Sequence, residues 1–210
     1  MGGRLTVTLG GTGTGEYEEK RSRFIGYARP VKSAEEAAEF IAEIRKKHSD
    51  ARHNVYAYRV GENVTGYSDD GEPKGTGGLP VLGLLQKSGI TDAAVVVTRY
   101  FGGILLGTGG LVRAYTEAAQ AAIGDAGVVT LAPFEMISVR VSYPLHQATV
   151  REISRFPTAR LLDTSFGEEI TLETAVAEDD AERFLVLLAD ATGGRAQISR
   201  TGTELLPCPV

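Results

Sequence analysis

The sequence predicts an α+β protein of two domains, and three observations support that fold class. Apolar β-branched runs alternate along the chain with segments whose apolar residues recur at helical spacing. Pro133 interrupts this pattern, and the succession of strand, turn and helix starts again after it. The elements after Pro133 follow the order βαββαβ over about 70 residues, which is typical of a ferredoxin-like domain. We therefore predict domains at residues 1–132 and 133–210.

Composition and charge narrow the classes of function. Hydrophobic residues make up 42% and charged residues 23% of the chain, as in ordinary globular proteins. No apolar run reaches the roughly 18 residues that span a bilayer, and the first residues lack the apolar core of a secretory signal. We expect a cytoplasmic protein without a membrane partner. Because the net charge is −5, the protein as a whole does not attract nucleic acid electrostatically. Any nucleic-acid site must therefore be a local basic patch.

The first half contains the following predicted elements. The glycine- and threonine-rich residues up to Gly15 are expected to be mobile. One extended strand is predicted over residues 17–31, and Ser33 with Glu36 forms a capping box for a helix that ends near residues 46–48. Strands His53–Val60 and Val64–Ser68 follow as a hairpin, and a helix is predicted at 79–88. From residue 95 a strand leads through a glycine-rich loop into a helix, and a last strand is predicted at 124–131. Together they predict an α/β sandwich with a mixed sheet.

The second half is predicted from the same signals. A strand covers residues 137–143, and Pro144 starts a helix at 145–156 that Pro157 ends. Two strands at 159–166 and 170–176 flank a hairpin turn. Asp179 or Asp180 caps the next helix, and a final strand covers 195–202.

Two glycine-rich stretches, at residues 67–80 and 95–115, carry most of the unusual chemistry. Both combine glycines with threonine and charged side chains. Clustered glycines indicate positive φ angles or a backbone that another group approaches closely. We expect the two stretches to lie side by side.

Five segments of the first half resemble the YigZ/Impact family. They are Lys-Arg-Ser-Arg-Phe-Ile at 20–25, Arg-His-Asn-Val-Tyr-Ala-Tyr at 52–58, Ser-Asp-Asp-Gly-Glu-Pro at 68–73, Val-Val-Thr-Arg-Tyr-Phe-Gly-Gly-Ile at 96–104, and the glycine-rich run at 106–115. The resemblance implies that the first domain is similar to domain 2 of ribosomal protein S5. It also implies that the second domain is similar to the ferredoxin-like domain V of elongation factor G. Both relatives act in translation, and the eukaryotic Impact proteins regulate it.

The candidate site follows from residue chemistry. Arginine forks bind phosphates, aromatic faces stack on bases, and exposed amides at a helix N-terminus attract anions. The residues predicted to form a nucleic-acid or phosphate site are Arg52, His53, Lys74, Arg99, Tyr100, Gly102, Gly103, Gly107, Thr108, Gly109, Gly110 and Arg113. A structural alternative has Arg99 and Arg113 pairing with the acidic residues of the first stretch and bracing the two loops.

The acidic residues Asp69, Asp70 and Glu72 brace the loop in one interpretation and hold Mg²⁺ in another. Asp-Asp-Gly is also a turn signature, which favours the bracing role. The three histidines have no metal-ligand spacing and the single cysteine forms no cluster, so we expect no metal and no cofactor.

The expected function is therefore non-enzymatic and linked to translation or its regulation. The protein would bind RNA, a ribosomal surface or a translation-factor protein through the glycine-rich loops of its first domain. The alternative is an enzyme acting on a phosphate ligand or nucleotide, because kinases of small molecules share the S5-like fold and a glycine-rich phosphate loop.

Overall fold

The structure is a computed structural model that describes residues 5–208. The chain divides into two compact units. The first unit is Thr6–Val129, and the second contains Leu5 and residues 130–208. None of the helices within the described residues is both long and apolar enough to cross a membrane.

The first unit contains six strands and three helices within the described residues. In chain order they are β1 (Thr6–Leu9), β2 (Gly13–Glu19), β3 (Ser22–Pro30), α1 (Ala34–Lys47), β4 (His53–Val60), β5 (Val64–Ser68), α2 (Gly78–Lys87), β6 (Ala93–Tyr100) and α3 (Gly107–Ala126). The hydroxyl of Ser33 accepts the backbone N–H of Glu36 at 3.2 Å, so the predicted cap of α1 is confirmed.

The main sheet of the first unit has the strand order β2-β3-β6-β4-β5. All four ladders of this sheet are antiparallel, so the prediction of a mixed sheet is wrong. The reason is that β6 lies between β3 and β4. Those two strands, joined through α1, run in the same direction but are not neighbours.

Helices cover both faces of this sheet. Apolar residues of α2 and α3 pack with β3, β4 and β6 on one face. Those of α1 pack on the other face, against Ile25, Tyr27 and Val96. Residues 93–99 of β6 are consequently all buried, as expected for a strand that is covered on both sides.

The glycine-rich start of the chain is ordered where the structure describes it, contrary to the predicted mobility. Residues 5–15 include β1 and the beginning of β2, while residues 1–4 lie outside the described part. A Cβ on Gly13 would lie 2.2 Å from the backbone nitrogen of Ala126, and one on Gly26 would lie 2.3 Å from the carbonyl oxygen of Ala118. These glycines let β2 and β3 approach α3 closely, which is a packing role rather than a flexible one.

The predicted single strand at 17–31 is a hairpin. Strands β2 and β3 pair from Gly13↔Ala28 to Glu19↔Ser22, and Lys20 and Arg21 form the turn between them. The prediction missed the turn because neither residue is a usual residue for a two-residue hairpin loop.

The second unit contains β7 (Val128–Val141), whose first two residues belong to the first unit. The elements after it are α4 (Tyr143–Arg155), β8 (Ala159–Phe166), β9 (Ile170–Ala177), a 3₁₀ turn at Glu178–Asp180, α5 (Ala181–Thr192) and β10 (Gln197–Pro207). The predicted βαββαβ order is confirmed. Strands β10, β7, β9 and β8 lie side by side in that order with antiparallel pairing.

Candidate functional site

A pocket of about 410 Å³ lies at one end of the first unit's sheet, where β4 begins and β6 ends. Arg23 of β3 and His53 of β4 flank this end of β6, because they pair with Tyr100 and Arg99 respectively. We call it the strand-end pocket, and its lining residues are Asp50, Ala51, Arg52, His53, Arg99, Tyr100 and Phe101. Four residues of the predicted site therefore lie around one cavity, although they come from two segments almost 50 residues apart.

Asp50, Arg52 and Phe101 are the exposed members of this lining. The Phe101 ring is 53% exposed, and Arg52 has no ion-pair partner among residues 5–208. The Nδ1 atom of His53 is 2.8 Å from the carbonyl oxygen of Asp70, which orients the imidazole at the start of β4. The pocket thus combines an available cation with an available aromatic face.

A hydrogen-bonded chain, the tyrosine–histidine chain, adjoins the pocket through Tyr100 and Asp50 and ends on the buried His48. The hydroxyl of Tyr100 donates to Asp50 Oδ1 at 2.9 Å and lies 2.9 Å from His48 Nδ1. The other ring nitrogen, Nε2, is 2.7 Å from the hydroxyl of Tyr27. Since the Tyr100 proton points to Asp50, the Tyr100 oxygen accepts from Nδ1–H of His48. A neutral imidazole protonated at Nδ1 then accepts from the hydroxyl of Tyr27 at Nε2.

The pKa directions agree with that protonation state. Burial, followed by repulsion from Lys47, lowers the pKa of His48. Burial and the hydrogen bond to Asp50 raise the pKa of Tyr100. At neutral pH the chain therefore contains a neutral His48 and a protonated Tyr100.

A second pocket of about 510 Å³ adjoins the first and shares Asp50 and Tyr100 with it. Its other lining residues are Glu16, Arg23, Ile25, Tyr27 and His48. Arg23 donates to both carboxylate oxygens of Glu16, at 3.0 and 2.5 Å. The sequence analysis missed His48 and Tyr27, because a histidine that ends a helix and a tyrosine in a strand carry no local signal of a shared hydrogen bond.

Arg99 lies in the wall of the strand-end pocket, but its charge is paired inside the protein. Its Nη1 donates to Glu72 Oε1 at 2.6 Å, and the hydroxyl of Tyr115 donates to the same oxygen at 2.8 Å. The Arg99 and Glu72 side chains are only 7% and 4% exposed. We call this group the Arg99 network. This pairing corresponds to the structural alternative of the sequence analysis, in which Arg99 pairs with an acidic residue of the first glycine-rich stretch.

Aromatic rings enclose the Arg99 guanidinium. Its Cζ lies 5.4 Å from the ring centroids of both Phe24 and Phe101. Its Nε–H is buried and has no hydrogen-bond acceptor within the described part of the chain. Burial, and then the negative charge of Glu72, raise the pKa of Tyr115, so its hydroxyl stays protonated and continues to donate.

The acidic loop after β5 serves internal structure. Asp69 accepts the backbone N–H groups of Gly75, Gly77 and Gly78 at 2.8–2.9 Å and so caps the beginning of α2. Asp70 accepts the N–H of Asn54 at 2.7 Å and pairs with Arg45.

Each of the three carboxylates therefore has a separate set of donors. Within residues 5–208, no group of three or more His, Cys, Asp and Glu side chains is arranged to hold a metal ion. The geometry supports loop bracing over the Mg²⁺ interpretation of Asp69, Asp70 and Glu72. Lys74 is exposed and does not line the strand-end pocket.

The glycines of the central stretch have two different roles. Gly107, Thr108, Gly109 and Gly110 form the first turn of α3, not a loop as predicted. Burial of Leu111 and Tyr115 outweighs the low helix propensity of the glycines.

Gly102 and Gly103 do lie in a loop, between β6 and α3. A Cβ on Gly102 would be 2.1 Å from the carbonyl carbon of Arg21, and Gly103 has a φ of 86°. Arg113 pairs with Glu19 at 3.2 Å, so the alternative that it braces the acidic loop is wrong.

Comparison with known proteins gives matches in both halves of the chain. Residues 20–123 match the Impact N-terminal domain, and residues 139–195 match a domain of unknown function, DUF1949. A Bacillus subtilis protein, IMPACT family member YvyE, is 37% identical over 188 residues, which cover 88% of this chain and 86% of YvyE. IMPACT family member YigZ of Escherichia coli is 34% identical over 86% of this chain and 90% of its own length.

More distant similarity extends to a eukaryotic protein and a solved structure. Protein IMPACT of Oryctolagus cuniculus is 35% identical over 94 residues, or 42% of this chain and 30% of the rabbit protein. A crystal structure described as a hypothetical protein superposes with a TM-score of 0.61 at 31% identity, and covers 94% of this chain and 97% of that one.

Proposed function

The chain belongs to the Impact family, and on that premise we propose that it is a non-enzymatic, translation-associated protein that binds RNA at the strand-end pocket. The proposal places it in the cytoplasm. It also assigns the first 132 residues to an S5 domain 2-like domain and residues 133–210 to a ferredoxin-like domain similar to domain V of elongation factor G. The βαββαβ order of the second unit supports the latter assignment.

The observation that carries the proposal is the composition of the strand-end pocket. Single-stranded RNA is recognised through bases stacked on aromatic or imidazole faces and through phosphates bound by cations. Phe101 offers an exposed aromatic face, and Tyr100 and His53 lie beside it. Arg52 is an exposed cation with no ion-pair partner among residues 5–208. The pocket thus places the Arg52 cation among aromatic rings in a chain whose net charge is negative, while its exposed carboxylate, Asp50, accepts a hydrogen bond from Tyr100.

The site residues have different roles in this proposal. Arg52, His53, Tyr100 and Phe101 contact the ligand directly, whereas Arg99 keeps the pocket wall in place through its bond to Glu72. The exposed first turns of α3, which include Thr108, Gly109 and Arg113, and the loop glycines Gly102 and Gly103 are proposed as additional contacts for the RNA backbone.

Binding of a fluorescent decauridylate by the purified full-length protein over a series of salt concentrations tests the proposal. We expect a micromolar Kd that weakens steeply as salt rises, because bound phosphates release counterions. Phe101→Ala should weaken binding roughly five- to a hundredfold through lost stacking. Arg52→Ala should lower the slope of log Kd against log salt by about 0.7, the value for one phosphate of a single strand.

Matched controls lie in the second unit. Phe166 is 66% exposed and Arg151 is also exposed, so Phe166→Ala and Arg151→Ala remove the same groups at a distance in sequence from the pocket. Equal losses in the pocket and control variants would contradict the proposed site. Absence of wild-type binding even at low salt would overturn RNA binding altogether and direct the search to a protein partner.

A further inference from the structure

The turn between β2 and β3 consists of Lys20 and Arg21, and both have positive φ angles, 48° and 65°. Two-residue hairpin turns with positive φ at both positions are of type I′, in which Asn-Gly is strongly preferred. Only glycine adopts this region freely, because a Cβ crowds the following carbonyl oxygen. Lysine and arginine are therefore strained here, and backbone strain of this kind is concentrated at functional sites.

The turn is held firmly against the wall of the strand-end pocket. The backbone N–H of Gly102 donates to Ser22 Oγ at 3.1 Å, and Ser22 is fully buried. Gly102 follows Phe101 directly, and its Cα packs so closely on Arg21 that no side chain fits between them. The Lys20–Arg21 turn therefore has a defined position beside Phe101, a lining residue of the pocket.

The charges of the turn are not neutralised by neighbouring acids. Both side chains are exposed, and neither has a hydrogen-bond or ion-pair partner among the described residues. Two of the three acids of the same hairpin have other partners, since Glu16 binds Arg23 and Glu19 accepts from Arg113 and Tyr17. The third, Glu18, is exposed and forms no ion pair with either turn residue in the described structure. Within the described part of the chain, the turn therefore presents two unpaired cations next to the pocket.

We infer that the Lys20–Arg21 turn is a phosphate-binding element, which holds the backbone of a single-stranded RNA whose base lies in the strand-end pocket. This inference rests on the proposed function and adds a second contact region to it. Two cations on a rigid turn bind successive phosphates with little loss of conformational freedom. In this inference lysine and arginine occupy the turn in place of the favoured Asn-Gly because their exposed charges bind the phosphates.

The double variant Lys20→Asn/Arg21→Gly separates the strain from the charge. It supplies the preferred residues for the turn, so the melting temperature should rise by about 2–4 °C. It also removes both cations. The slope of log Kd against log salt for decauridylate should therefore fall by about 1.4, or 0.7 for each phosphate, and affinity at 100 mM salt should fall roughly tenfold.

Two further variants complete the design. Lys20→Gln/Arg21→Gln removes the charges but keeps the strained turn, and it should lose affinity and salt slope to the same extent. Lys32→Ala/Lys87→Ala removes two other exposed charges of the first unit and should change the slope little.

If Lys20→Asn/Arg21→Gly bound decauridylate with the affinity and salt slope of the wild-type protein, the inference would be overturned. If Arg52→Ala still weakened binding in the same experiment, the proposed function would stand without it. An equal loss in Lys32→Ala/Lys87→Ala would also overturn it, because net charge alone would then account for the effect. No binding by the wild-type protein would overturn the proposed function, and the inference with it.

Discussion

Arg52 and Arg99 line the same pocket, but their surroundings differ. Arg99 is buried, its charge is paired with Glu72, and Tyr115 donates to the same carboxylate. Arg52 is exposed and has no partner in the described part of the chain. A buried charge must be paired to be tolerated, whereas an exposed one is hydrated and remains free to meet a ligand. The comparison shows how one residue type maintains the pocket at one position and is available for binding at another.

The largest expected effect is in the Arg99 network. Glu72→Ala leaves a guanidinium buried without its counterion, and the free energy of unfolding should fall by about 3–5 kcal/mol. Urea denaturation measures this change. Glu16→Ala, which removes the partner of the exposed Arg23, serves as control and should have a much smaller effect. Equal effects of the two variants would contradict the distinction between buried and exposed pairs.

Close packing of β3 on α3 should give the next largest effect. Gly26→Ala places a Cβ 2.3 Å from the backbone oxygen of Ala118, so the helix must move away, and stability should fall by roughly 1–3 kcal/mol. Gly83→Ala, in α2 where a Cβ meets no atom within 4 Å, should instead stabilise the protein by up to about 1 kcal/mol. If thermal unfolding showed that Gly26→Ala also stabilises the protein, Gly26 would not act through packing.

A smaller effect is expected from the tyrosine–histidine chain as pH changes. The pKa of His48 is lowered in the folded protein, so below about pH 6.5 the unfolded chain binds a proton that the folded protein does not. Stability should fall as the pH drops below 6.5. We expect a loss of roughly 0.5–1 kcal/mol, because solvent in the second pocket reduces the effect of burial.

The measurement is urea unfolding between pH 7.5 and 5. His48→Gln should flatten the dependence in this range. The groups facing His48 are Tyr27, Lys47, Asp50, Tyr100 and Arg23, and none of them is a second histidine. An unchanged pH dependence in the variant would assign the loss to other groups.

The smallest effect on stability is expected for Arg52→Ala. Its side chain is exposed and forms no ion pair within residues 5–208, so the free energy of unfolding should change by no more than about 0.5 kcal/mol. RNA affinity should fall in the same variant. A large loss of stability would mean that Arg52 braces the fold as Arg99 does.

Local signals predicted the regular elements well. The Ser33 cap, the hairpin strands His53–Val60 and Val64–Ser68, and the βαββαβ order of the second unit all follow from apolar periodicity, turn residues and prolines. These features depend on residues that are near one another in sequence. The misses at the Lys20–Arg21 turn and at Gly107–Gly110 occurred where local propensity opposes the observed conformation.

The candidate site was predictable only as a set of residue types. Arginine, tyrosine and glycine at residues 99–103 indicated a site, and Arg52 and His53 were singled out by their chemistry. Whether an arginine is free or paired depends on which acid lies beside it. Glu72 is 27 residues from Arg99 in sequence, so no local pattern distinguishes Arg99 from Arg52.

The sequence by itself therefore determined the helices and most strands, the second unit's element order and the residue types of the site. Tertiary structure alone decided the strand order and the partners of the charged groups. Insertion of β6 between β3 and β4 brings Arg23, His53 and residues 99–100 together at one end of the sheet. Burial of Glu72 then pairs Arg99, while Arg52 and the Lys20–Arg21 turn stay in solvent. The physical reason is that strand pairing and charge burial depend on groups distant in sequence, whereas periodicity and capping depend on neighbours.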